Sequence, residues 1–241
     1  MINATHYVLD LETMGTGPRA AIVAIGCVEV HEGQLAREFY QRVELADAIA
    51  KGGEVTALTA EWWLKQSEAA RAEVNGTQEA ESLWNALGAL RVFMAGTGLL
   101  HDVLVWGNGP SFDNVILASA YRRFGGEAPW AYWNDRDLRT LTALYPAVKD
   151  IPFEGTKHHA LHDARHEARQ LIAALEMHEA RADQIAALGK MVDASIRVPA
   201  EPTPAMVAAA EEAYMPFGDM HLAIQVANLT QIETVQEHGH E

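Results

Sequence analysis

The apolar residues of this chain first fall into short runs separated by turn residues, a pattern typical of β-strands. The runs lie near residues 5–12, 20–31 and 36–44 and predict an antiparallel meander of three strands. Apolar residues then recur at helical spacing and predict helices at 59–73 and 77–94, with Thr59 and Thr77 as N-caps. The remaining predicted elements are a strand at 102–106 and helices at 111–121, 137–145 and 160–188.

This order of elements predicts an α/β fold in which a mixed sheet carries helices on both faces. The chain has 241 residues, 49% of them hydrophobic, which suffices for the core of one large domain over residues 1–190. Three prolines indicate a linker over 191–204, and residues 205–241 predict a small helical segment with a disordered tail. The segment has three open roles: packing on the main domain, docking a partner, or forming a homodimer.

No apolar run is long enough to span a bilayer, and the first residues lack the pattern of a secretory signal. Cys27 is the single cysteine, so it cannot form an internal disulfide, and it lies in a predicted buried strand. These features predict a cytoplasmic protein without a membrane partner.

The first strand carries two carboxylates, Asp10 and Glu12, in the segment HYVLDLETMG. Because side chains alternate along a strand, both point to the same face. Two such carboxylates repel each other and are costly to desolvate, and a bound cation removes both problems. Hard oxygen ligands favour Mg²⁺ or Mn²⁺ over zinc. An isolated acid at a strand end is more often a cap or turn residue, so the metal assignment depends on the other segments.

A third acid, Asp113, follows the fourth strand in DVLVWGNGPSFDN. Gly107 and Gly109 end the strand, and Ser111 is the predicted N-cap of the next helix, which places Asp113 in its first turn. Ligand sites gather at this end of the strands in open α/β sheets. The alternative is a first-turn acid that only complements the helix dipole.

A fourth acid, Asp163, lies near the start of the long helix, and His158 lies in the loop before it. Histidine ordinarily titrates near neutrality, so a histidine in a mobile loop can take a proton from a metal-bound water. His162 and His166 offer a competing zinc site, because residues four apart share a helix face. No third soft ligand is evident in the sequence, which favours the carboxylate site.

The order DLET, GNGPSFDN and HHALHDA resembles the three motifs of the DEDDh 3′–5′ exonucleases, which have an RNase H-like fold. The resemblance covers roughly the first three-quarters of the chain. It implies that the four acids are the four acidic residues of the family: Asp10, Glu12, Asp113 and Asp163.

The third motif, written H-x-A-x-x-D, matches the chain from His158 to Asp163. The related DEDDy pattern places a tyrosine at the position of His159, so the DEDDh pattern fits better. The segment WWLKQ at 62–66 is similar to a WW-x-x-Q feature of short exonucleases from bacteria and phages, typified by a mycobacterial exoribonuclease.

Four further residues are predicted to contact the substrate. Adjacent residues on a helix point about 100° apart, so one of Trp62 and Trp63 faces the core. Trp63 is predicted to line the groove, where stacking on a base is worth about 1–3 kcal/mol. Met14 either wedges against the terminal base or fills a gap in its loop. Asn108 and Phe112 flank the second motif and are predicted to contact sugar or base.

The net charge of −15 disfavours extended contact with duplex or long strands, which needs a basic surface. The predicted partners are therefore short or single-stranded 3′ ends of DNA or RNA. The predicted reaction is hydrolysis with two Mg²⁺ or Mn²⁺ ions, in which His158 removes the proton of the attacking water and a 5′-mononucleotide leaves. The alternative from another class is a nucleic-acid-end binding or scaffold module that acts through its C-terminal helices and has a vestigial active site.

Overall fold

The structure is a computed structural model that describes residues 4–75, 79–95, 102–195, 203–205 and 207–208. Within these ranges the strands are β1 (His6–Thr13), β2 (Ile22–His31), β3 (Gln34–Arg42), β4 (Leu104–Gly107) and β5 (Asp135–Asp137). The helices are α1 (Leu45–Ala50), α2 (Ala57–Leu64), α3 (Glu68–Arg71), α4 (Leu83–Ala95), α5 (Asp113–Arg123), α6 (Leu138–Leu144) and α7 (Ala160–Ser195). Short 3₁₀ helices span Tyr132–Asn134 and Pro146–Asp150.

The strands form one mixed sheet in the order β3-β2-β1-β4-β5. The pairs β1–β2 and β2–β3 are antiparallel, which confirms the predicted meander, and β4 and β5 continue the sheet in parallel with β1. Strand β5 was not predicted, because its sequence DRD has no apolar residue to produce a pattern.

The two faces of the sheet carry separate cores, and β1 contributes to both. Tyr7 and Leu9 belong to the larger cluster, which contains buried residues of α4 and α5. Val8 belongs to the second cluster, with buried residues of α6 and α7. Since side chains alternate along a strand, Asp10 and Glu12 are in phase with Val8 and lie on the α7 face.

Helix α7 meets the sheet at a glycine. A Cβ atom on Gly26 would lie 2.2 Å from the carbonyl carbon of Ala160, the first residue of α7. Gly26 is the register partner of Asp10 on the neighbouring strand. The missing side chain therefore lets the start of α7 reach the backbone of β2, one strand away from Asp10.

The helix predicted at 59–73 is two shorter helices, each with a side-chain cap. The N-cap of α2 is Thr56, whose hydroxyl accepts from the backbone N–H of Thr59, so the predicted cap lies inside the helix. The predicted helix is also interrupted at Leu64, and α3 begins after Ser67, whose hydroxyl accepts from the N–H of Ala70. Both caps satisfy first-turn N–H groups that have no partner within their own helix.

Helix α4 begins later than predicted, at Leu83, and Thr77 lies outside the described residues. Glu81 instead pairs with Val43 in a bridge, which keeps the chain extended before the helix. The first residue of α5 is Asp113, and its N-cap is Phe112, without a capping side-chain hydrogen bond. The predicted cap Ser111 is therefore one residue too early.

The chain divides into two compact units, Met1–Glu179 and Ala180–Glu241. Helix α7 continues to Ser195, seven residues beyond its predicted end at 188. Most of 191–241 lies outside the described residues, so the predicted linker and C-terminal helical segment stay predictions. In the part of the chain that the structure describes, every helix is too short or too polar to cross a bilayer.

Candidate active site

A cavity of about 700 Å³ contains most of the residues that the motifs singled out. It is lined by residues of β1, α2, the β4–α5 connection and the start of α7. Six predicted site residues line it: Asp10, Glu12, Asn108, Phe112, His158 and Asp163. A volume of this size lies within the usual range for small-ligand sites in proteins.

Three side chains in the cavity come close enough to hold one cation. One ligand atom from each of Glu12, His158 and Asp163 lies within 4.8 Å of the other two. Asp10 lines the same cavity, two residues before Glu12 on β1. Carboxylate oxygens suit a hard divalent cation, so Asp10, Glu12 and Asp163 fit the metal that the motifs imply.

Asp113 is buried next to the cavity-lining residues Leu11 and Asn108. It is 2% exposed, and its two carboxylate oxygens accept the backbone N–H groups of Leu11 (3.1 Å) and Asn108 (3.0 Å). Its carboxylate therefore joins β1 to the end of β4 beside the other acids. Burial raises the pKa of Asp113 to about 6, and the two N–H groups oppose that rise.

The electrostatic state of the site also favours a cation. Burial raises the pKa of Asp10 well above its usual range, and the charges of Glu167, Glu12, Asp113 and Asp163 raise it further. The pKa of Glu12 is raised in the same way, first by burial and then by Asp163. Each carboxylate disfavours the charge on the others, and positive charge placed among them relieves this repulsion.

The two adjacent histidines have different surroundings. His158 faces the cavity from a left-handed backbone conformation with φ 63°, which is uncommon for any residue except glycine. Its ring meets the ring of Trp62 edge-on, with centroids 4.8 Å apart. His159 points elsewhere: its ring stacks between Tyr40 (4.5 Å) and His162 (4.0 Å). Its backbone N–H donates to Asp163, which helps to fix the loop.

The two tryptophans have the reverse of their predicted roles. Trp63 is 3% exposed, and its indole N–H donates to the carbonyl of Thr13 at 2.9 Å. Trp62 is 41% exposed and lines the cavity. The prediction of Trp63 as the groove residue is therefore corrected in favour of Trp62. The angle of about 100° between adjacent side chains on a helix implied that one tryptophan is buried, but it did not determine which one.

Met14 is not part of the cavity wall. Its side chain is partly buried and packs against the larger core cluster, and its backbone N–H donates to the carbonyl of Ala21. Its position therefore corresponds to the gap-filling alternative, and contact of Met14 with a base stays a prediction.

Two cavity residues beyond the motifs were missed as site residues. Glu167, one helical turn after Asp163 on α7, is 5% exposed and accepts from the side-chain amide of Asn108 at 2.6 Å. Residues four apart share a helix face, so its spacing could have identified it. Arg139 donates to the carbonyl of Asn108 at 2.7 Å and is the one Arg or Lys among the described lining residues.

The histidines of the competing zinc site have other partners. His162 accepts from the backbone N–H of Thr156 and stacks on His159. His166 contacts Gln170 at 3.0 Å and packs on the ring of Phe153. Among the residues that the structure describes, neither belongs to a group of three metal-ligating side chains.

Comparison with known proteins identifies relatives over most of the chain. Residues 5–175 match the family described as the 3′-5′ exoribonuclease Rv2179c-like domain. An exodeoxyribonuclease of Enterobacteria phage T4 is 26% identical, in a match that covers 60% of this chain and 74% of that protein.

Two solved structures have a similar fold. One is the nuclease domain of 3′hExo, described as a DEDDh family member bound to rAMP, with a TM-score of 0.50 and 14% identity over 72% of this chain and 92% of that one. The other is exonuclease I, with a TM-score of 0.50 and 16% identity over 71% of this chain and 40% of that one. These similarities confirm the predicted fold class, an RNase H-like mixed sheet flanked by helices.

Proposed function

Because the chain belongs to the 3′-5′ exoribonuclease Rv2179c-like domain family and is a 3′–5′ exonuclease, we propose that it removes 5′-mononucleotides from the 3′ ends of single-stranded or short nucleic acid. The observation that carries the proposal is the meeting of Glu12, His158 and Asp163 in one cavity, within 4.8 Å of each other. The family description names RNA and the name of the phage relative names DNA, so the proposal includes the 3′ ends of both.

The proposal assigns two Mg²⁺ or Mn²⁺ ions to the four acids of the motifs: Asp10, Glu12, Asp113 and Asp163. Such ions, when bound, neutralise the carboxylates, lower the pKa of the attacking water and stabilise the leaving oxygen. The raised pKa values of Asp10 and Glu12 support this assignment, because buried carboxylates that repel each other bind a hard cation well.

His158 is assigned the general base. It faces the cavity beside Glu12 and Asp163, so its imidazole can take the proton of a water that attacks the terminal phosphodiester. Arg139 is exposed and lines the same cavity, and its guanidinium is suited to the phosphate of the terminal nucleotide. The described lining residues include a single Arg or Lys, and the net charge of the chain is −15. The protein's contact with nucleic acid is therefore confined to the end of the strand.

A 3′-phosphate is expected to block degradation, because the proposed site binds a free 3′-terminal nucleotide. The measurement compares 5′-labelled oligonucleotides of one sequence that end in a 3′-hydroxyl or a 3′-phosphate, as single-stranded DNA and as RNA, with Mn²⁺. The blocked strand should remain at the level of a reaction with chelator.

The matched control for the blocked strand is an oligonucleotide with a 5′-phosphate, which should be degraded as fast as the unmodified strand. Cleavage of a circular single strand would contradict the proposal, since it requires attack at internal bonds.

Trp62 is proposed to stack on a base of the bound end, and its replacement should separate binding from stability. Trp62→Ala is expected to raise KM about 5- to 150-fold, corresponding to the 1–3 kcal/mol of a base–aromatic stack. Trp63→Ala is the matched control: it empties a core position and should lower the free energy of unfolding by about 3–5 kcal/mol. Kinetics and thermal melting of both variants test the assignment, and an unchanged KM in Trp62→Ala would refute it.

A further inference from the structure

Glu167 is a buried acid of the cavity that the four-acid motif does not include. It lies one turn after Asp163 on α7, is 5% exposed, and lines the same cavity as Asp10 and Asp163. Its Oε1 atom accepts from the Asn108 side chain at 2.6 Å. Its Oε2 atom is buried and has no hydrogen-bond partner. One half of this carboxylate is thus fixed, and the other half is unsatisfied.

An unsatisfied carboxylate oxygen in a protein interior is costly, because it has lost its hydration without gaining a donor or a cation. Its surroundings make the cost larger, since the carboxylates of Asp113 and Asp163 are nearby. Asp10 and Glu167 line the same cavity, and after burial the charge of Glu167 is the largest cause of the raised pKa of Asp10. Positive charge shared between Asp10 and Glu167 would satisfy both.

We propose that Glu167 is a fifth acidic ligand of the metal centre and that its Oε2 atom binds the cation held by Asp10. The inference rests on the proposed function, which supplies the cation, and goes beyond the four acids of the motif. The hydrogen bond from Asn108 to Oε1 orients the carboxylate and leaves Oε2 available. Residues that do not bind the metal themselves commonly orient ligating carboxylates in this way.

The test is a calorimetric titration of the full-length protein with Mn²⁺, without nucleic acid. Glu167→Gln keeps the shape of the side chain and an oxygen that can accept from Asn108, but removes the charge. It is expected to weaken Mn²⁺ binding at one site at least about 10-fold, since even residues that only orient metal ligands contribute about 10- to 100-fold. Glu176→Gln, an exposed acid on the same helix, is the matched control and should bind Mn²⁺ like the wild type.

Two further variants make each outcome decisive. Asn108→Ala should weaken Mn²⁺ binding less than Glu167→Gln; an equal loss would mean that Glu167 acts only through Asn108 and would overturn the proposal. Unchanged Mn²⁺ binding in Glu167→Gln would overturn it as well. If circular dichroism shows that this variant is unfolded, Glu167→Asp replaces it, because a shorter carboxylate should also bind Mn²⁺ more weakly.

The Asp10→Asn variant distinguishes failure of this inference from failure of the proposed function. If Asp10→Asn loses Mn²⁺ binding and Glu167→Gln does not, the four-acid centre stands without its fifth ligand. If both variants bind Mn²⁺ as the wild type does, the metal centre itself is misassigned.

Discussion

The Asp10→Asn variant is expected to hydrolyse 3′-terminal nucleotides about 10³-fold more slowly than the wild type, or not at all. The amide retains the shape of the side chain but not the charge with which Asp10 binds a cation. Metal ions contribute several kcal/mol to the stabilisation of charge in such reactions, and each 1.4 kcal/mol corresponds to a factor of about ten. The measurement is single-turnover degradation of a 5′-labelled oligonucleotide at saturating Mn²⁺.

Without metal, the same variant is expected to melt no lower than the wild type. The pKa of Asp10 is raised in the folded protein, first by burial and then by neighbouring carboxylates. When the pKa of an acid is higher in the folded than in the unfolded protein, its ionisation opposes folding. The free energy of unfolding then falls as the pH rises from the unfolded pKa to the folded pKa. The advantage of Asp10→Asn should therefore be smaller at pH 5 than at pH 8, measured by thermal melting in chelator.

Asp150→Asn removes one carboxylate at an exposed position and is the control for Asp10→Asn. It should retain wild-type turnover. Near-normal turnover of Asp10→Asn would refute the metal assignment.

Asp113→Ala should also abolish turnover but should melt lower than the wild type. The N–H groups of Leu11 and Asn108 lose their acceptor, which costs about 1–3 kcal/mol for each buried group.

His158→Ala is expected to lower kcat about 10²- to 10⁴-fold, the usual contribution of a general base. KM for the oligonucleotide should change much less, because the proposed role of the imidazole is to accept a proton from the water rather than to hold the strand. Steady-state kinetics at saturating Mn²⁺ give both constants. A Mn²⁺ titration of the variant should show that both metal ions still bind.

His159→Ala is the matched control for His158→Ala. Its ring stacks between Tyr40 and His162, outside the group that faces the cavity, and the hydrogen bond from its backbone to Asp163 survives the substitution. It should therefore lower stability more than turnover. If His159→Ala loses most of its kcat and His158→Ala loses little, the alignment of the third motif is shifted by one residue and His159 is the general base.

The parts of the fold that follow a period of two or 3.6 residues were predictable. The apolar run from Tyr7 to Leu9 predicted β1, and the alternation of side chains along a strand gave Asp10 and Glu12 a common face; the structure has both. Strand β5 and the start of α4 were not predictable in this way. They depend on pairing with β4 and on the bridge between Val43 and Glu81, contacts between distant parts of the chain.

The site residues were predictable where a sequence motif fixes their spacing. They were missed where a tertiary contact determines which side chain is buried and which lines the cavity. Sequence spacing brought His158 and Asp163 together correctly. It could not choose between Trp62 and Trp63, because the choice depends on the hydrogen bond from Trp63 to Thr13. Glu167 was overlooked because an acid inside a long charged helix normally belongs to its solvated face, and only the packing of α7 on the sheet buries it.

The contact between Gly26 and the start of α7 also bears on how the site can bind a cation at all. Backbone lies against backbone there, so no side-chain rotamer adjusts the spacing between β2 and the start of α7. The donors are therefore preorganised: the entropy of bringing them together is lost during folding rather than when the ion arrives. A rigid scaffold can in this way hold mutually repelling charges at a spacing that a flexible chain would relax.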